Sequence, residues 1–330
     1  MRALLCLMIL SLVSCVSFDS EKKKKVAPKI TDKMSLNEAL ANGIEFGGVT
    51  LHDVEKLVKR RKEWPKAEEH LYKILMTEGE ITAQALINTM ELFRASRSLR
   101  APEVFKQYVR DGALLKRQLA WQLASDSASE KMGHEIEVHL TESIAENELN
   151  LVFIPAMADA VASNRLVESY SVVREGLLFG DDIAFARAMI ALKPQQASTD
   201  FLEYLAKAPI EELRQLSLKS VDVYTCTLIL EHLASYPPPA SHPRMEVLFL
   251  YAISRNNALG EMARDVLEKY LPQYSEAFAF TLSRLPSWMQ IAFVERSSKR
   301  MTPVISIFLN DLKKVTADKD VVDEISELKI

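Results

Sequence analysis

A chain of 330 residues with 48% hydrophobic and 26% charged side chains has a globular composition and enough length for one large core or an extended array of repeats. Its 41 basic and 45 acidic residues leave a formal net charge of −4, which argues against a nucleic-acid binder, since such domains concentrate positive charge on one surface. Only 9 residues are glycine, against a usual share of about 7%; hairpin-rich folds consume glycine in their turns, so the composition also argues against a large β-domain.

The first element is an export signal. One cation, Arg2, precedes an uncharged and mostly apolar run over residues 3–13, followed by Ser14 and Cys15, which is the layout of a secretory signal peptide. The run has 11 residues, whereas a helix needs roughly 20 to cross the hydrocarbon core. Its closing residues, Leu12-Val13-Ser14-Cys15, resemble the lipobox of bacterial lipoproteins, in which an aliphatic, a tolerant and a small position precede the cysteine. The resemblance implies cleavage between Ser14 and Cys15, a diacylglyceryl group on the Cys15 thiol and a further acyl chain on the new amine. The alternative is an ordinary signal peptide cut a few residues to either side. Cys6 lies too early in the apolar run to be the acceptor. Each buried methylene contributes about 0.8 kcal/mol, so several acyl chains hold stably where one holds marginally.

After the cysteine, residues 16–33 are polar, contain Lys22-Lys23-Lys24-Lys25 and Pro28, and have no helical periodicity. They read as a flexible tether, spanning at most about 60 Å. The division expected is a signal peptide at 1–14, a lipidated cysteine with its tether at 15–33, and a helical domain at 34–330. Position 16 is valine and not aspartate, which resembles the outer-membrane sorting pattern of enteric lipoproteins and implies an outer membrane facing the periplasm.

From residue 35 onward the signals are helical. Ser35-Leu36-Asn37-Glu38 and Ser287-Trp288-Met289-Gln290 fit the capping box. Trp64-Pro65, Ala101-Pro102, Ala208-Pro209 and Thr302-Pro303 each put proline where a helix can begin, because the missing N–H is an orphan there. The stretches 149–154 and 221–230 are rich in β-branched residues and are short strands or helices; their neighbours favour helix. Residues 183–192 are apolar nearly all round, as suits a helix covered on both sides. Over 258–271, Leu259, Met262, Ala263, Val266, Leu267, Tyr270 and Leu271 recur at three and four, and Tyr274, Ala277, Phe278, Leu282 and Leu285 repeat the habit in a following helix.

This punctuation predicts about 17 to 20 helices joined by short loops. The segments 113–120, 212–218 and 260–267 resemble the second helix of HEAT repeats, with a basic residue ahead of small and aliphatic positions. The pairs are nearer 30 to 35 residues than that family's roughly 40 to 47. Tetratricopeptide repeats match in length, but their Trp/Leu-Gly/Tyr pattern is missing. The expected fold is an all-α, irregular α-solenoid of stacked helix pairs.

Chemistry-bearing motifs are sparse. Cys226 has no partner once Cys6 leaves and Cys15 carries lipid, and it reads as a small buried hydrophobe. His134 and His139 are five apart, about 140° around a helix, so they do not face one metal as the i, i+4 zincin pair does; the segment reads as a solvated acidic helix. Glu142-Ser143 resembles the glutamate-serine pair of lytic transglycosylases, but the glycine-rich stretch that should follow is replaced by Ile144-Ala145-Glu146. Asp181-Asp182 and Glu211-Glu212 sit where helices would begin, which suits the macrodipole.

Residues 51–120 hold 14 Lys/Arg against 10 Asp/Glu, including Lys59, Arg60, Arg61 and Lys62, and residues 121–182 hold 3 against 12. In a solenoid this becomes a basic end beside an acidic middle, or merely solvates outer helices. The expected function is that of a non-enzymatic scaffold without catalytic residues, metal or cofactor. It would be held to a membrane through Cys15 and would bind another envelope protein. The alternatives are a helical-frame enzyme acting on peptidoglycan or another glycan, and a module binding anionic glycan or lipid through the 56–66 cluster.

Overall fold

The computed structural model describes residues 64–77, 83–146, 153–209, 212, 219–239, 241–254 and 256–328. Ser14, Cys15, the tether, the 35–38 capping box and Lys59, Arg60, Arg61 and Lys62 lie outside the described residues, as do 149–152, Glu211 and 213–218.

The fold is all-α. The described residues form fifteen α-helices: α1 (Trp64–Met76), α2 (Ala83–Ser96), α3 (Ala101–Tyr108), α4 (Leu114–Asp126), α5 (Glu130–Ala145), α6 (Pro155–Ser163), α7 (Tyr170–Gly180), α8 (Ile183–Leu192), α9 (Pro194–Leu205), α10 (Val223–Ser235), α11 (Glu246–Ala252), α12 (Asn257–Ser283), α13 (Ser287–Ser298), α14 (Pro303–Val315) and α15 (Lys319–Glu327). This is slightly below the 17 to 20 expected over the longer range.

Local chemistry sets many of the helix starts. Pro102 and Pro303 occupy first-turn positions, and the Thr302 hydroxyl accepts from the Ile305 N–H at 3.2 Å, satisfying one of the orphan donors. Asp182 caps α8 through the Ala184 N–H at 2.9 Å. Its neighbour Asp181 does not begin a helix: it closes α7 in the left-handed region at φ 50°. Glu212 accepts from the N–H groups of Lys219 and Ser220.

One ambiguous stretch resolves as the helix its neighbours favoured, and two local readings need correction. The stretch 221–230 lies largely in α10, whose cap is Asp222, so the strand alternative falls. Phe153 and Ile154 are not helical; Ile154 is extended at φ −103°, ψ 129° because it precedes Pro155, whose ring disfavours the helical region for the residue before it. The Ser287/Gln290 capping box does not form. Pro286 takes the cap position, the Ser287 hydroxyl donates to Asp318 at the start of α15, and the Gln290 amide donates to the Ser283 and Leu285 carbonyls that end α12. In addition, the two helices expected over 258–285 join into α12 with a kink. Tyr274 is non-helical at φ −131° two residues after Pro272, a residue that removes a helical hydrogen bond.

Each helix packs on neighbours near in sequence. α2, α4, α6, α8, α10, α12 and α14 contact one another in succession; α1–α3–α5, α7–α9 and α11–α13–α15 do likewise, and adjacent helices such as α1 and α2, α3 and α4, and α11 and α12 join the two series. Polar contacts keep the same interval. Tyr72 donates to Glu103, 31 residues on, Tyr170 to Asp200, 30 on, and Ser275 to Asp311, 36 on.

The core runs between these helices and includes the fully buried Trp121, Tyr204, Tyr251 and eight phenylalanines. α7 and α8 approach closely at Gly176, where an added Cβ would lie 2.3 Å from the Phe185 ring.

The expected charge asymmetry is partly neutralised within the fold. Arg94 pairs with Asp126, Lys106 with Glu135 and Arg110 with Glu142, so cations of the basic stretch meet anions of the acidic one. These pairs are exposed or half-exposed, and such pairs contribute only about 0–1 kcal/mol each; their effect is on the field presented to a partner.

Candidate functional site

A cavity of about 440 Å³ opens beside α3, α4 and α5, lined by side chains of the 109–121 segment and by the last turns of α5. Three segments build it. The turn after α3 supplies Arg110, Asp111 and Gly112. Asp111 shapes that turn by accepting from the Ala113 N–H and from Lys116 Nζ, each at 2.8 Å. The Lys116 hydrogen bond first, and the Ala113 N–H second, hold its carboxyl below the usual range. α4 contributes Arg117 and Trp121, four residues and so about one turn apart on one face. α5 contributes His139, Glu142, Ser143 and Glu146, the i, i+3, i+4, i+7 spacing that aligns side chains along a helix.

His139 is half-buried rather than solvated, which corrects the reading of its segment. Its ring lies 5.8 Å from Trp121 and 6.5 Å, edge-on, from Phe105. Burial, helped by the Arg110 charge and opposed by Glu142, lowers its pKa to about 4, so the imidazole is neutral near pH 7. His134 is exposed and lines a different groove with Ser129 and Asn164. The two histidines therefore face different surroundings, and no group of three metal-ligating side chains occurs among the described residues.

Ser143 is buried, and its hydroxyl lies 3.5 Å from His139 Nε2, at the outer limit of a hydrogen bond. This pair has the residue types of a nucleophile and its base, but an imidazole with a pKa of about 4 is a weak acceptor for a serine proton near neutrality. Glu142 is ion-paired with Arg110 and half-exposed, unlike a general acid, which sits secluded to keep its proton. Binding is the chemistry this arrangement supports better. One lining group stands out within the cavity, Arg117. Its Nε–H is buried without an acceptor, although buried donors are almost always paired.

Of the residues singled out in the sequence, His139, Glu142 and Ser143 meet in this cavity. Cys226 is fully buried in α10, with its thiol 3.6 Å from the Tyr251 hydroxyl, and burial pushes its pKa up to about 12. A thiol so placed is a poor nucleophile, which fits the reading as a small buried hydrophobe. Arg110, Arg117 and Trp121 were not singled out. The i, i+4 spacing of Arg117 and Trp121 was the available signal, but nothing local pointed that face toward α5.

The His139 shift has a consequence for stability. The ordinary histidine pKa is about 6.5, so between about 6.5 and about 4 the unfolded chain binds this proton and the folded chain does not. Stability from this group is complete above the window and declines as pH falls through it. Urea unfolding at pH 7.5 and pH 5 is expected to show a larger loss for the wild type than for His139→Gln; equal losses would contradict the assignment.

Comparison with protein-family models, with curated proteins and with solved structures finds no match to this chain.

Proposed function

We propose that this chain is an exported lipoprotein, anchored through lipid on Cys15, whose helical domain is a non-enzymatic scaffold that binds another protein of the bacterial envelope. The packing of most helices on the next but one, with several adjacent pairs joining the two series, carries this reading. Together with polar contacts at intervals such as 30, 31 and 36 residues, it supports an irregular, HEAT-like α-solenoid of helix pairs. Such stacks place successive elements along a continuous surface, which suits them to extended binding faces.

One edge is suited to a partner. Phe179 and Tyr224 are each about three-quarters exposed, and each lies two positions from the contact in which the Asp222 N–H donates to Asp181. Two aromatic side chains are thus offered near a hydrogen bond between the end of α7 and the start of α10, and aromatic residues are enriched where protein interfaces form. A photo-crosslinking residue at position 179 or 224, in membrane-anchored protein, is expected to give one discrete adduct with another envelope protein. The adduct should be lost when Cys15→Ala removes the anchor. No adduct at either position, or an adduct independent of Cys15, would overturn the proposal.

A further inference from the structure

We propose that the cavity beside α3, α4 and α5 binds a small ligand through a monoanionic carboxylate, with Arg117 as its anchor. The chain contains its own comparison. Residues 113–120 and 260–267 have the same form, with arginine at the fifth place, Arg117 in α4 and Arg264 in α12. Arg264 has structural employment: its Nη1 donates to the Arg296 carbonyl at 3.1 Å, and it pairs with Glu261. Arg117 lines a cavity instead. The Nε–H of both arginines is buried without an acceptor; the difference is that the Arg264 Nη groups are engaged, whereas among the described residues the Arg117 guanidinium makes no hydrogen bond or ion pair. A guanidinium left in this state lacks the planar, bidentate acceptor that its fork matches, and a carboxylate supplies it.

The other charges define the ligand further. Arg110 is paired with Glu142 and Lys116 with Asp111; Arg117 feels the Asp111 charge through space but, among the described residues, is the lining cation without a carboxylate in ion-pair contact. Glu142 and Glu146, one turn apart on α5, oppose a dianion such as phosphate and tolerate a single negative charge. The Ser143 hydroxyl, held only by the 3.5 Å contact to His139, is a second donor. Trp121 and the neutral His139 ring give an apolar wall. A volume of about 440 Å³ accommodates a small molecule or a chain end, within the range of known ligand sites. This inference does not depend on the lipid anchor or on the protein partner.

The test uses the full mature chain in detergent, with Trp64→Phe and Trp288→Phe leaving Trp121 as the sole tryptophan. The probes are N-acetylglycine, the longer acid N-acetyltriglycine, N-acetyltriglycine amide without a carboxylate, and inorganic phosphate. Both acids are expected to change Trp121 fluorescence saturably, the amide not at all, and phosphate more weakly than either acid. Tighter binding of the longer acid would assign a peptide chain end as the source; equal binding would assign a free small acid. Arg117→Gln is expected to weaken the acids at least tenfold, and Ser143→Ala, a milder change should the first variant fold poorly, about threefold. Lys106→Gln, which removes a nearby cation paired with Glu135, should leave binding unchanged. No saturable response to either acid, phosphate binding more tightly than the acids, or equal affinity in wild type and a folded Arg117→Gln protein would overturn the proposal.

Discussion

Phe249→Ala is expected to destabilise the protein by about 3–5 kcal/mol, the usual result of removing a fully buried phenylalanine from a packed core. Phe249 of α11 is the hub of an aromatic cluster drawn from four helices. Its ring centroid lies 5.9 Å from Phe278 of α12, 5.4 Å from Phe293 of α13 and 6.2 Å from Phe308 of α14. Phe293 and Phe308 also meet edge-on at 5.7 Å. All four are at most 1% exposed, so truncation opens a void that three ordered rings border and none can fill without leaving another partner. Edge-to-face and offset ring pairs add about 0.5–1.5 kcal/mol each beyond burial, and this places the expected loss toward the upper end. In a fold whose helices contact near neighbours, the damage should stay near its origin. Hydrogen exchange should accelerate in α11 to α14 well before α1 to α5. Urea unfolding supplies the magnitude, and a loss below about 1 kcal/mol would mean that the cluster is not the packed hub described.

Cys15→Ala is expected to move the protein from the membrane fraction to the soluble fraction without changing its folding. The 3–13 run is too short to remain as a span, and no helix among the described residues is long and apolar enough to cross a membrane. On the proposed reading, retention therefore rests on the acyl chains. Two chains of ordinary length bury enough methylenes, at about 0.8 kcal/mol each, to hold the protein stably, whereas basic residues at an anionic surface contribute about 1 kcal/mol apiece and are screened by salt. Replacing Lys22, Lys23, Lys24 and Lys25 with glutamine should accordingly leave the protein in the pellet after high-salt and carbonate washes. The Cys15→Ala protein should appear in the supernatant with the wild-type thermal transition. Retention of Cys15→Ala in the washed pellet would show that something other than lipid on this residue holds the chain.

How far the molecule is legible in its sequence depends on the range of the interaction concerned. Asp182 capping α8 and Thr302-Pro303 opening α14 are settled by atoms within three residues, and they read correctly. Ser287 is the counterexample. Its local motif is complete, but Asp318, 31 residues away, takes the hydroxyl, while Gln290 serves the end of the preceding helix. The stretch 221–230 looks strand-like through its β-branched residues, but an aspartate cap and burial between helices override that propensity.

The same division runs through the cavity. His139, Glu142 and Ser143 share α5, Glu146 caps its end, and their spacing is plain in the sequence; the His134/His139 spacing instead suggests a solvated face, whereas His139 faces the cavity. The other wall, Arg117 and Trp121, depends on how α4 meets α5, which no local pattern specifies. Likewise the basic and acidic blocks are visible by counting, but the pairing of Arg94 with Asp126 across 32 residues is a product of the stack.

Lipid on Cys15 underlies the proposed function, and the intact mass of the mature protein purified from membranes reads it out. The expected result is a chain that begins at Cys15 and carries the added mass of a diacylglyceryl group, with or without a further acyl chain, and a Cys15→Ala protein without that mass. A mature chain that begins elsewhere, or that begins at Cys15 with an unmodified thiol, would contradict it.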